Sequence, residues 1–301
     1  MWFVLVVLVI LIALLIISYL LAKDLFESLF KRRETIPLAK DGDFKNYYSE
    51  IKANEKRIKS ELVDVYIEND GIKLHGLFHQ AESNVYVITL HDVHSNPILN
   101  NAIVNPYLID AKYNTLMVDL RGHGKSEGEY VGFGVGDICD VRKWVEHVKE
   151  LDNDAKIIIH GSGIGAYAAI LACDIEHVKG IIADSPCLSA YEYLKNYFKA
   201  NKMNKFPTIW FLKHIAKKKL NYDISLSAFE KIKHITTPIM LIHGKDDELS
   251  DPVNSAQLYQ LCRSQKSIHV YQNSKHLMSY LENKKEYKDR VIEFINKESK
   301  N

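Results

Sequence analysis

Cysteine is scarce in this chain of 301 residues, and neither sign of charge dominates, since 39 lysines and arginines oppose 38 aspartates and glutamates. The four cysteines, Cys139, Cys173, Cys187 and Cys262, are too far apart for the paired spacing of zinc ligands, and they indicate no disulfide framework. The formal net charge is only +1, so no overall field attracts a nucleic acid. We therefore expect no metal, no cofactor and no nucleic-acid partner.

A long apolar run opens the chain. Residues 2–22 carry no charge, and a helix of this length is about as long as the apolar thickness of a bilayer. No basic residue precedes the run and no small-residue cleavage site follows it, which favours a membrane anchor over a cleaved signal. Lys23, Lys31, Arg32 and Arg33 follow it, which predicts a single-pass protein with a cytoplasmic soluble domain.

Beyond the anchor, the pattern predicts a linker with a short helix over residues 23–60 and a folded domain over residues 61–301. In that domain, continuous apolar runs alternate with helical patterns, which is typical of a mostly parallel sheet covered on both faces. The first two strands alternate in polarity and are joined by Asn69-Asp70-Gly71, so we expect them to be antiparallel. The eight predicted strands cover residues 62–67, 72–78, 85–90, 115–119, 156–159, 178–183, 238–242 and 267–270.

An insertion separates the sixth and seventh predicted strands, over about residues 188–235. It is rich in aromatic side chains at helical spacing, which predicts a helical cap. Such residues more often serve packing than ligand contact, although in a cap one side chain can do both.

A sharp strand-to-helix turn is predicted at residues 156–165, where Gly161 and Gly165 bracket the turn. In a G-x-S-x-G nucleophile elbow, the reactive serine lies midway between two such glycines. Here that position is Gly163, so the side chain of the nucleophile is missing. The nearest hydroxyl, on Ser162, lies one residue too early.

Two later loops carry the residue types of an acid–base pair. Asp247 follows the seventh predicted strand and His276 follows the eighth. Because the carboxyl ends of parallel strands meet at one edge, these loops can bring both side chains above the elbow. A carboxylate beside an imidazole fixes its tautomer and stabilises its protonated form, as in a catalytic triad.

The fourth predicted strand leads into D-L-R-G-H-G-K-S-E-G at residues 119–128. Together with the bracketed elbow, H-G-x-x-D and the late histidine, this motif resembles the α/β-hydrolase superfamily, in particular membrane-anchored bacterial hydrolases similar to serine aminopeptidases and monoacylglycerol lipases. The resemblance covers about residues 60–298. It implies an α/β-hydrolase fold, with Asp247 as catalytic acid, His276 as base, and oxyanion donors in the loop at residues 90–93, including Val93, and at the N–H of Ile164.

The chain departs from that family's pattern at two positions of the site. Gly163 replaces the serine, and Asp92 stands where the family usually has glycine. A carboxylate beside an oxyanion hole opposes developing negative charge unless it turns away. If Ser162 were the nucleophile, its neighbours two residues away would be His160 and Ile164, whereas an elbow needs small residues there.

Three hypotheses follow from these observations. The favoured one is an impaired, membrane-tethered hydrolase that binds a small acyl, ester or peptide-like ligand without efficient turnover. The second is an active serine hydrolase of esters or amides that uses Ser162 with His276 and Asp247. The third is a scaffold in which the cap aromatics and the membrane helix present a surface to a partner.

Overall fold

The computed structural model describes residues 1–32, 45–93, 106–203 and 205–300. Residues 33–44 of the predicted linker lie outside this range. An eight-stranded sheet with the order β1-β2-β4-β3-β5-β6-β7-β8 forms the centre of the fold. The strands are β1 Val63–Asn69, β2 Ile72–His79, β3 Val85–Leu90, β4 Asn114–Val118, β5 Lys156–Ser162, β6 Val178–Asp184, β7 Ile239–Gly244 and β8 Lys266–Tyr271.

Both pairings of β2 are antiparallel, and all the others are parallel. The predicted α/β-hydrolase architecture with its antiparallel start is thus confirmed. The continuous apolar runs explain the parallel part, because β3, β4, β5 and β7 are buried along almost their whole length and both faces of the sheet need cover.

Helices supply that cover on both faces of the sheet. A 3₁₀ turn occurs at Lys45–Tyr47, and residues 106–110 are also helical. The remaining helices are α1 Trp2–Phe30, α2 Tyr48–Lys59, α3 Ile138–Leu151, α4 Ile164–Leu171, α5 Ala190–Ala200, α6 Thr208–Leu220, α7 Ala228–Ile232, α8 Val253–Leu261, α9 Ser279–Glu282 and α10 Lys284–Glu298. Two apolar cores result, one on each face: α4 and the cap helices line one, and α2 with α10 line the other.

The N-terminal helix α1 does not end where the apolar run ends. The whole helix has 29 residues and ends at Phe30. Its apolar part is long enough to cross a bilayer, and no residue of its most hydropathic stretch is buried. Residues 23–30, which the sequence assigned to a linker, are therefore helical. Their apolar side chains recur on one face and bury against the folded domain, so this part of α1 belongs to the core.

Aromatic contacts attach the end of α1 to the domain. The ring of Phe30 lies 4.9 Å from that of Phe133, and the ring of Phe26 lies 5.2 Å from that of Tyr130. Backbone hydrogen bonds join the same segments, from Val131 N–H to Phe30 O at 2.7 Å. The boundary between the exposed apolar segment and the domain thus lies inside one continuous helix.

The insertion after β6 contains α5, α6 and α7, which form the predicted helical cap. Phe198 and Leu212 on its inner side are fully buried, whereas Phe206 and Trp210 are 73% and 48% exposed. The cap aromatics therefore divide into a packing set and an outward-facing set.

Candidate active site

The turn between β5 and α4 has the backbone of a nucleophile elbow with its apex at Gly163. This residue has φ 56° and ψ −116°, a conformation that residues with a side chain rarely adopt. Its N–H donates to Asp184 O at 2.9 Å, and its carbonyl accepts from Tyr167 N–H at the first turn of the helix. The strained apex position is thus occupied by glycine.

The bracketing glycines explain why the apex lies there. A Cβ on Gly161 would come within 2.4 Å of Gly165 O, and one on Gly165 would come within 2.3 Å of Leu90 O. Strand, turn and helix approach too closely at these points for any side chain. The register of the elbow is therefore fixed by backbone contact.

Ser162 is the last residue of β5, paired with Asp184 of β6. It is only 8% exposed, and no hydrogen bond joins it to His276 among the described residues. The structure does not bring this hydroxyl to the imidazole.

Asp247 and His276 do come together. The Nδ1 of His276 lies 2.7 Å from Oδ2 of Asp247, while Asp247 Oδ1 accepts from the N–H groups of Leu249 and Ser250 at 2.9 and 2.8 Å. His243, at the end of β7, approaches the same carboxylate at 3.3 Å. The loop after β7 thus fixes the carboxylate, which in turn orients the imidazole. The neighbouring Asp246 is exposed.

The carboxylate of Asp92 fills the space above the elbow. Its Oδ1 accepts a hydrogen bond from Ile164 N–H at 2.8 Å, and its Oδ2 lies 3.4 Å from Nε2 of His276. A Cβ added to Gly163 would come within 2.2 Å of that same Oδ1. Asp92 therefore turns towards the predicted oxyanion donor, not away from it. The sequence places Asp92 beside the expected oxyanion hole as a departure from the family's pattern, but it does not predict these contacts.

These contacts shift the proton affinities of the acid–base pair. Burial by itself lowers the pKa of His276, but the negative charges of Asp247 and Asp92 outweigh it and raise this pKa to about 10. Burial would raise the pKa of Asp247, yet His276, His243 and the Ser250 N–H hold it well below its usual range. At neutral pH, His276 is therefore an imidazolium between two carboxylates.

His91 holds the backbone that presents Asp92. Its Nδ1 lies 2.7 Å from Asp92 O, and its Nε2 accepts from Leu120 N–H at 3.1 Å. Complete burial lowers the pKa of His91, so it remains neutral and can make both bonds. The D-L-R-G-H-G loop thus supports the site from below. Asp119, the first residue of that loop, has its Oδ2 2.6 Å from Nδ1 of His75.

Val93 follows Asp92 and is half-buried against the core that α4 and the cap helices line. Among the described residues, its N–H donates to no site carboxylate, and its function as an oxyanion donor stays a prediction. In the cap, burial and, less strongly, the charge of Asp92 raise the pKa of Tyr193. No cluster of metal-ligating side chains occurs within the described ranges.

The sheet topology, the elbow and the position of the acid–base pair define an α/β-hydrolase of the serine hydrolase type. The sequence model of the prolyl oligopeptidase family matches residues 102–301, more than half of the chain. The chain therefore belongs to the prolyl oligopeptidase family.

The chain is also similar to individual proteins. YqkD of Bacillus subtilis is 29% identical over 215 residues, covering 69% of this chain and 70% of YqkD. YfhR of Escherichia coli K12 is 25% identical over 242 residues, covering 76% of this chain and 78% of YfhR. The crystal structure of the esterase Pf2001 from Pyrococcus furiosus superposes with a TM-score of 0.68 at 25% identity, covering 80% of this chain and 94% of the esterase. The predicted superfamily is confirmed.

Proposed function

We propose that this chain is a membrane-anchored protein of serine hydrolase ancestry that binds a small acyl, ester or peptide-like ligand and turns it over poorly. One observation carries the proposal: the apex of the elbow is Gly163, and the carboxylate of Asp92 lies where a serine side chain would begin. The fold and the acid–base pair are retained, while the nucleophile is missing from its position.

The position of Asp92 argues against acyl transfer in a second way. Acyl transfer passes through a tetrahedral intermediate whose oxyanion needs free hydrogen-bond donors, and one such donor contributes about 10²–10³ in kcat. The N–H of Ile164 already donates to Asp92. A developing oxyanion would have to displace this carboxylate and overcome its repulsion.

The protonation of His276 supports the same conclusion. A general base must be unprotonated at the working pH to accept the proton of a hydroxyl or a water. With its pKa raised to about 10, His276 carries a proton at neutral pH. It can bind an anionic or hydrogen-bond-accepting group, but it is poorly suited to activate a nucleophile.

A second candidate function is an active hydrolase of esters or amides that uses Ser162 with His276 and Asp247. The hydroxyl lies next to the apex, which keeps this candidate open. Its burial and its lack of a bond to His276 make it the weaker one.

We also propose that α1 anchors the domain in a membrane. Its first 21 residues, 2–22, are uncharged and apolar except for Ser18, and the side chains of residues 2–17 are exposed, as expected of a lipid-facing helix. Lys23, Lys31 and Arg32 follow, which supports a cytoplasmic position of the domain by the positive-inside rule. A protease added outside sealed bacterial spheroplasts should leave the domain intact, and digestion of the domain there would reverse the orientation.

Labelling with a fluorophosphonate tests the main proposal. This probe modifies activated serines, so the purified full chain in detergent should remain unlabelled under conditions in which a known esterase is labelled completely. Hydrolysis of p-nitrophenyl butyrate should likewise stay near the rate of a His276→Ala variant. Stoichiometric labelling would contradict impairment, and a label mapped to Ser162 would establish the second candidate.

A further inference from the structure

Helix α6 of the cap runs beside α1 in the same direction. The rings of Tyr19 and Phe211 are 5.6 Å apart, and Lys219 Nζ lies 2.8 Å from Glu27 Oε1. Both contacts join residues that are 192 positions apart. Because two α-helices rise equally per residue, this constant offset means that the helices run parallel and in step.

The two helices also change polarity in step. In α1, the apolar run ends at Ala22, and charged residues begin at Lys23. In α6, exposed Trp210 lies near the beginning of the helix, while Lys217, Lys218 and Lys219 form its last turn. Exposed Phe206 lies just before the helix. The aromatic end of α6 thus lies beside the apolar part of α1, and its basic end beside the charged part.

The contact between Tyr19 and Phe211 sets the depth of the cap. Tyr19 lies three residues before Ala22, so at about 1.5 Å of rise per residue Phe211 lies about 5 Å inside the end of the apolar run, and Thr208 at the start of α6 about 9 Å inside. Interfacial helices bury their apolar face by about 5–10 Å at the boundary between headgroups and acyl chains. The first turn of α6, which would enter end-on beside α1, lies within the same range of depth.

We propose that the beginning of α6, with Phe206 and Trp210, docks into the same bilayer leaflet that α1 enters. This inference rests on the proposed insertion of α1 in a membrane. The inner face of α6, with Ile209, Leu212 and Ala216, packs in the core, which leaves the outward aromatics for lipid. The three lysines of the last turn then lie at the headgroups, where anionic lipids attract them.

Three polar side chains near this end of α6 are compatible with docking. Lys213 is held on the protein side, with its Nζ 2.7 Å from Ser225 Oγ and 3.7 Å from Asp223. The ring of His214 lies 4.1 Å from that of Trp210, tilted by 44°. Exposed Lys205 precedes Phe206, and its flexible stem lets its ammonium reach the headgroup layer.

The tryptophans of the chain provide a direct test. There are three, Trp2, Trp144 and Trp210, and Trp144 is buried in the core with 1% exposure. The full chain is reconstituted into phosphatidylcholine vesicles carrying bromine, a fluorescence quencher, at a shallow or a deep acyl position. The variant Trp2→Phe reports on Trp210, Trp210→Phe reports on Trp2, and the double variant gives the emission of Trp144 alone.

In brominated vesicles, we expect the emission of the Trp2→Phe variant to be quenched more strongly than that of the double variant. Shallow bromines should quench it more strongly than deep bromines. Quenching of Trp2 without quenching of Trp210 would contradict the docking of the cap but agree with the insertion of α1. A protein partner that covers the aromatics instead of lipid would give this result. If neither residue were quenched, the membrane insertion of α1 would fail together with the inference.

Discussion

Asp92 and Ile164 are joined by a hydrogen bond of 2.8 Å from the backbone N–H of Ile164 to the carboxylate of Asp92. The two residues come from different loops, one after β3 and one at the start of α4, and the pairing of β3 with β5 brings those loops together. The bond places a fixed negative charge on the donor that an oxyanion would need. The missing serine hydroxyl at Gly163 and the carboxylate of Asp92 therefore both oppose acyl transfer at the same turn.

Restoring a hydrolase therefore requires both positions to change. Gly163→Ser alone should give little activity, because its Cβ would lie 2.2 Å from Asp92 Oδ1. Adding Asp92→Gly removes the clash, frees the Ile164 N–H and removes one carboxylate from His276. The double variant should exceed Gly163→Ser by at least about 100-fold in kcat for p-nitrophenyl butyrate, since one oxyanion donor is worth about 10²–10³.

A matched control for that experiment is Gly163→Ser with Asp92→Asn. Asparagine has the shape of aspartate and can still accept the bond from Ile164, so this variant should remain near the level of Gly163→Ser. Equal rates for the glycine and asparagine variants would show that occupancy of the donor by residue 92 is not what limits turnover.

The hydroxyl of Ser162 should be dispensable. It is buried at the end of β5 and makes no bond to His276 in the described part of the chain. Ser162→Ala should leave any residual esterase rate within about twofold, because it breaks no contact with the acid–base pair. A steady-state rate on p-nitrophenyl butyrate measures this. A fall to the uncatalysed rate would instead make Ser162 the nucleophile of the second candidate function.

The two adjacent acids after β7 should differ sharply in their effect on stability. Asp247 is buried and accepts bonds from Leu249 N–H, Ser250 N–H and His276, whereas Asp246 is exposed. Removing one partner of a buried ion pair costs about 3–5 kcal/mol, so Asp247→Ala should lower the free energy of unfolding by that order. Asp246→Ala should change it by less than about 0.5 kcal/mol. Urea unfolding of both variants tests the difference, and similar shifts would show that the loop does not depend on Asp247.

His276 should make stability depend on pH in the alkaline range. Its pKa is raised from 6.5 to about 10 in the folded state, so its proton stabilises the fold fully below pH 6.5. That stabilisation is lost as the pH rises from 6.5 through about 10. The unfolding free energy of the chain minus that of a His276→Gln variant should fall across this window, by at most about 1.4 kcal/mol per pH unit. A flat difference would mean that His276 is neutral between its carboxylates.

The strands, the elbow and the placement of the acid–base loops could be predicted because each has a local signal. Apolar runs mark the strands, and Gly161 and Gly165 fix the apex by their spacing alone. The orientation of Asp92 could not be predicted in this way. It depends on how closely the loop after β3 approaches the start of α4, which the pairing of distant strands determines.

The end of α1 was predicted at the wrong place because the apolar run and the helix were treated as one unit. Leu25, Phe26, Leu29 and Phe30 recur at helical spacing, a signal of an amphipathic segment that the charged residues between them obscure. Their burial becomes evident only when Phe133 and Tyr130 are brought beside them.

Two phenylalanines of α1 should therefore respond differently to truncation. Phe26 is fully buried, stacks on Phe30 at 5.0 Å and contacts Tyr130, whereas Phe3 is 79% exposed at the other end of the same helix. Phe26→Ala should lower the free energy of unfolding of the domain by about 3–5 kcal/mol, the usual cost of a cavity of this size. Phe3→Ala should leave it within about 0.5 kcal/mol. Chemical unfolding in mild detergent, followed by the fluorescence of buried Trp144 in the Trp2→Phe/Trp210→Phe background, compares the two. If Phe26→Ala were as harmless as Phe3→Ala, the end of α1 would not belong to the core, and the domain would begin after it.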